Sequence, residues 1–129
     1  MTLKDILQEN SNLTIEGLQK LQREYDQKFV ADRFTKFDKV RHTYAHMGKL
    51  LGRLAEYVEM VEEGNLKVTS EDIITKVIPD LLVYSAWLSE EFNVSMEKAY
   101  LNRFIGNIKR LYASKISPEE LGELEKCVN

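Results

Sequence analysis

The sequence predicts an all-α fold, and three observations carry that expectation. Apolar residues recur every three to four positions almost throughout the 129-residue chain. Six glycines and two prolines are too few for the regular turns of a β-sandwich or barrel. Ser and Thr residues stand ahead of the apolar-periodic runs, where they serve as helix caps. The length suits a single domain, residues 1–129, and 43% apolar with 30% charged residues is a globular balance.

The elements follow in order. A short helix starts at Thr2, with Asp5 three residues on as in a capping box, and Asn10-Ser11-Asn12 ends it. Thr14 caps a second helix to about Phe29, with Ile15, Leu18, Leu21 and Tyr25 on one face. Residues 31–35 read as a loop. The third helix, about Lys36 to Gly64, is the longest. Its residues Val40, Tyr44, Met47, Leu51, Leu54, Val58 and Val61 alternate spacings of four and three, a heptad seam expected to pack inside a bundle. Gly64 ends it as a left-handed terminator. Thr69 with Asp72 opens the next helix, to about Phe92, and Pro79 inside it predicts a kink or restart. Ser95 caps a further long helix to about Ala113. Ser117-Pro118 with Glu120 starts a terminal helix over about 118–126.

Short loops between long helices make antiparallel neighbours, so the expectation is a four-helix bundle, core about 14–113, with short accessory helices at both ends. Two helices carry more apolar surface than one seam uses. The third adds Leu50, Tyr57 and Met60. The one from Thr69 adds Val77, Tyr84 and Trp87 beside Ile74, Leu81, Leu88 and Phe92. A small bundle with such a surplus buries it against another copy, so a homo-oligomer, dimer or tetramer, is expected.

The net charge of −3 argues against nucleic acid as a partner. The opening residues lack the apolar core of a signal peptide, and the most apolar stretch, 77–88, contains Pro79 and Asp80 and is too short to span a bilayer. No membrane partner and a cytoplasmic location are expected. Cys127, the single cysteine, reads as an incidental thiol in a reducing compartment.

Glycine-rich phosphate loops, paired Cys/His zinc spacings, G-x-S-x-G and H-E-x-x-H do not occur. His42 and His46 lie one turn apart with Asp38 a turn earlier, which is half a metal site. With Lys49 beside them and no third ligand in sequence, they read as a polar helix face.

Residues 77–99, Val77-Ile-Pro-Asp-Leu-Leu-Val-Tyr-Ser-Ala-Trp-Leu-Ser-Glu-Glu-Phe-Asn-Val-Ser-Met-Glu-Lys-Ala, with Asn102-Arg-Phe-Ile-Gly-Asn-Ile-Lys-Arg, resemble the second half of the MazG-like, all-α nucleoside triphosphate pyrophosphohydrolases. That family shows Glu-x-x-Asp on an apolar helix, then a helix ending in Lys-x-x-x-Asn-x-x-Arg. Asp80 matches the aspartate, Arg103 stands for the lysine, and Asn107 and Arg110 match directly. Lys49-Leu-Leu-Gly-Arg-Leu-Ala-Glu resembles the family's Glu-Glu-x-Gly-Glu-Leu-Ala-Glu. The likeness runs from about Leu18 to Tyr112 and implies the family's bundle fold.

The resemblance also implies four carboxylates that hold Mg²⁺ for cleavage between the α and β phosphates. Here three of those positions are Leu50, Arg53 and Val77, and Asp80 alone is retained. Glu56, Glu59, Glu63, Glu90 and Glu91 read as a solvated face rather than a displaced metal site. The expectation is a MazG-like oligomer that binds a nucleotide or a partner without Mg-dependent hydrolysis, with no cofactor. The alternative is an active pyrophosphohydrolase with a rearranged Mg site. Arg53 is expected to pair with Asp80. Candidate contacts for a phosphate-bearing small molecule are Arg53, Arg103, Asn107, Arg110, Lys49 and His46.

Overall fold

The computed structural model describes residues 2–9, 13–30, 34–64 and 68–128 (the side chains of 36 and 37 excepted). The described chain is helical, with no strand: α1 (Leu3–Glu9), α2 (Ile15–Phe29), α3 (Lys36–Glu63), α4 (residues 70–91), α5 (Met96–Leu111) and α6 (Pro118–Val128). The expected breaks at 10–12 and 31–33 lie outside the described residues.

The helices start where capping chemistry dictates. Thr14 Oγ1 accepts from Gly17 N at 2.9 Å, and Ser95 Oγ accepts from Lys98 N at 3.3 Å. Thr69 and Asp72 form a reciprocal capping box, as do Thr2 and Asp5. Gly64 takes a left-handed φ of 75° and its N–H closes on Met60 O. The disturbance expected at Pro79 is a π-turn over Ile73–Val77, between an α-turn at Ser70–Asp72 and the α-helix Ile78–Glu91. The wider turn lets the chain re-enter helix with Pro79 in the first turn after the restart, where its missing N–H costs little.

The centre of the molecule is α4, on which α2, α3 and α5 all pack. α1 lies on α2, α5 also touches α2, and α6 closes on α5. α3 makes its substantial contacts with α4 and reaches α2 through Lys39. Among the described residues the helices thus form an all-α, bundle-like array centred on α4. Stacking of His42 on Trp87 and of His46 on Tyr84 fixes the register, because a step forward along α3 is a step back along α4.

The heptad seam turns inward only in part, with Val40, Met47 and Leu54 half-buried. Tyr44, Leu51, Val58 and Val61 are exposed, while Thr43, Leu50 and Met60 are buried against α4. The contact row runs one residue behind the seam, because the apolar arc of α3 is wider than one neighbour covers. On α2 the expected face turns inward only in part, with Ile15, Leu18 and Leu21 half-buried. Tyr25 is exposed, and the buried side chains are Gln19 and Asp26.

Gln19 joins three elements. Its amide nitrogen donates to Glu90 Oε1 and to Val94 O, both at 2.9 Å, and its carbonyl accepts from Met96 N at 2.8 Å. This pins α2 to the tight α4–α5 turn, in which Asn93 takes a positive φ of 53°. Gln19→Ala removes all three bonds and strands buried partners, so urea unfolding is expected to show a loss of about 2–4 kcal/mol. An unchanged midpoint would mean that the turn holds itself.

Candidate functional site

The contact row between α3 and α4 divides the pair into two sides. One residue behind the row, α3 presents His42 and Lys49, with Arg53 one turn on from Lys49, and α4 presents Asp80 and Trp87. On this side five rings touch in series. Phe34 meets His42 at 4.9 Å, His42 meets His46 at 4.2 Å, and His46 stacks on Tyr84 at 5.3 Å. Tyr84 meets Trp87 edge-on at 5.6 Å, and Trp87 stacks back on His42 at 5.9 Å. The indole is buried, while the histidines and Tyr84 are half-buried.

Behind the rings lies a buried ionic cluster. Lys39 Nζ stands 3.6 Å from Asp26 Oδ2 and 3.4 Å from Glu91 Oε1, and 5.0 Å from the Trp87 ring centroid. The Asp26 side chain is only 7% exposed. Burial pushes its carboxyl above the ordinary range, against the pull of the Gln22 amide, Lys39 and the Trp87 N–H. Neither Asp26 Oδ2 nor Trp87 Nε1 reaches full hydrogen-bond geometry. A cleft of about 240 Å³ opens here between Val30, Phe34, Lys39 and the two carboxylates.

The glutamates expected on a solvated face at the end of α4 are structural. Glu90 accepts from Arg23 Nε at 2.9 Å and Arg23 Nη2 at 2.7 Å, and Glu91 neutralises Lys39. The Arg23 hydrogen bonds hold the Glu90 carboxyl below its usual range. No sequence signal marked Gln19, Asp26 or Lys39, since each is a polar residue buried by its neighbours.

The positions matched to family carboxylates divide in two. Leu50 and Val77 are buried on the α3–α4 contact row. Arg53 and Asp80 are exposed, neither is ion-paired among the described residues, and the expected Arg53–Asp80 bridge is absent. The register explains this: Asp80 lies level with Lys49 and Leu50, about a turn from Arg53. No three His, Cys, Asp or Glu residues among those described gather as a metal cluster.

On α5, Arg110 donates to Asn107 Oδ1 at 3.3 Å, Arg103 is exposed, and the neighbouring Lys109 pairs with Glu125 of α6. α5 packs on α2, α4 and α6, without substantial packing on α3. The α5 trio is therefore not brought together with His46, Lys49 and Arg53. Compared with family models, curated proteins and solved structures, the chain matches none. No described helix is long and apolar enough to cross a membrane.

Burial lowers the pKa of His42 below its ordinary 6.5, helped by the positive charge of His46 and Lys49 one and two turns on along the same helix. The unfolded chain thus takes up a proton at a higher pH than the folded one does. Stability from His42 is complete above about 6.5 and is lost as pH falls from there toward the lowered folded value. Urea midpoints measured from pH 8 to 5 are expected to drop on the acid side, and His42→Phe, which keeps a stacked ring, is expected to flatten that drop. Parallel profiles for the two proteins would contradict it.

Proposed function

We propose that this chain is a MazG-like helical protein that binds a phosphate-bearing, planar small molecule, such as a nucleotide, without metal-dependent hydrolysis. The observation that carries this reading is the content of the α3–α4 pair. Two of the positions where the resembling family holds carboxylates are Leu50 and Val77, which are core residues here. Beside them stand the half-buried His46 and Tyr84 rings, with Lys49 and the exposed Arg53 on the same side.

The chemistry suits such a ligand. A stacked His46–Tyr84 pair offers an aromatic edge for a planar base. Lys49 and Arg53 supply fixed positive charge, and a guanidinium takes two phosphate oxygens at once. Fixed cations then do what bound metal ions do in the family, except that they activate no water. Asp80 on the same side discourages long polyanions and favours a compact phosphate. Arg103, Asn107 and Arg110 are not needed in this reading, because Asn107 and Arg110 bond each other on a separate helix.

Calorimetry with nucleoside mono- and triphosphates in EDTA tests it. Binding is expected to survive the chelator, and Lys49→Ala and Arg53→Ala are each expected to raise Kd about tenfold, the worth of one charge-assisted bond. Arg110→Ala is expected to change nothing. Pyrophosphate release in Mg²⁺ or Mn²⁺ would overturn the reading in favour of a rearranged hydrolase.

A further inference from the structure

The cleft behind the ring cluster takes no part in the nucleotide reading. Asp26 of α2, Lys39 of α3 and Glu91 of α4 line it together with Val30, Phe34 and Thr35, so three helices meet around about 240 Å³ of space. Each water takes about 30 Å³, so the cleft holds a ligand of about eight water volumes. That is below the range of about 300–1,000 Å³ typical of pockets for drug-sized ligands, and a nucleotide is too large for it.

One acceptor in the cleft lacks a donor. The Asp26 side chain is 7% exposed. Its Oδ1 accepts from the Gln22 amide at 2.9 Å, whereas Oδ2 has no hydrogen-bond partner among the described residues. Lys39 Nζ, 3.6 Å from Oδ2, offers charge without a bond, and it is shared with Glu91 Oε1 at 3.4 Å. Among the described lining residues two carboxylates thus face one ammonium, and the cleft is one positive charge short. Burial raises the Asp26 carboxyl above its ordinary range even with Lys39 and the Gln22 amide beside it. A buried carboxylate oxygen without a donor is costly, and a ligand that supplies the donor recovers that cost on binding.

We propose that this cleft binds a primary ammonium group carried on a short apolar stem. The ammonium supplies the missing charge and donates to Asp26 Oδ2 and to Glu91. Lys39 carries its own ammonium on a flexible stem and shifts toward Glu91 to admit the new donor. Val30 and Phe34, both half-buried in the wall, cover the stem of the ligand. The two carboxylates turn anions away, and a quaternary ammonium brings charge but no N–H. Free amines and lysine side chains share the required chemistry.

Trp87 is the only tryptophan of the chain, and its ring centroid lies 5.0 Å from Lys39 Nζ, so its fluorescence reports a shift of that ammonium. The full chain is titrated with butylammonium, acetyl-lysine amide, tetramethylammonium and butyrate, each against equal sodium chloride. A saturable change at millimolar concentration is expected with butylammonium or acetyl-lysine amide, and the tighter of the two names the source of the amine. Tetramethylammonium and butyrate are expected to give none. Asp26→Asn and Glu91→Gln keep the shape of the wall and remove one charge each. Both are expected to raise Kd about tenfold or more, the worth of one charge-assisted bond, with the helical circular dichroism retained. Should either fail to fold, butylammonium against tetramethylammonium on the wild type decides alone. No saturable change with either amine, an equal response to tetramethylammonium, or undiminished affinity in the folded variants overturns the proposal.

Discussion

The antiparallel contact between α3 and α4 is the constraint on which the rest of the structure depends. Leu50 and Met60 on one helix and Val77 on the other are buried along it, with the buried Thr43 hydroxyl donating to Lys39 O. Burying each large apolar side chain is worth about 1.5–3 kcal/mol, so a few such residues set a margin comparable with the whole stability of a small domain. The contact row also decides geometry. A residue one step behind it joins the ring and cation side, and a residue one step ahead joins the apolar side. A single register thus decides which residues stand on each side of the pair.

Polar chemistry holds α2 to this pair. Gln19, Arg23 and Asp26 bond to Glu90, to the α4–α5 turn and to Lys39, all across helices. Directional contacts of this kind fix orientation more than they add free energy, because desolvation offsets much of the Coulomb gain. They also place Lys39 under the Trp87 ring, which in turn supports His42 and, through Tyr84, His46. The ring cluster is therefore held from below by an ionic cluster, and its rigidity follows from that of α2.

Local chemistry made much of the fold legible in the sequence. Thr14, Thr69, Ser95 and Gly64 end or begin helices by short-range hydrogen bonding or backbone conformation, and each does so as its residue type requires. Pro79 announced a break whose form, a π-turn, depends on packing around it. The inward face of α3 was misread because periodicity reports how much of a helix is apolar, not which half meets its neighbour. Tyr44 and Leu51 belong to the arc yet lie on its open half. Asp26 and Lys39 were invisible for the opposite reason, since a buried ion pair looks like two surface residues until the helices meet. Of the candidate ligand contacts, His46, Lys49 and Arg53 share one side of one pair, whereas Arg103, Asn107 and Arg110 lie on α5, which has no substantial packing on α3 among the described residues.

The central claim is that an apolar contact row occupies the place where the resembling family keeps metal-binding carboxylates. Val77 has no exposed surface, which makes it the most sensitive point on that row. Thermal melts of Val77→Glu, with and without millimolar Mg²⁺, put the claim to its most direct test. A buried unpaired carboxylate is expected to abolish the cooperative transition or lower it steeply, with no recovery on adding the metal. A variant that melts like the wild type, and is stabilised further by Mg²⁺, would show that the row is a metal site lacking one ligand and would contradict the account.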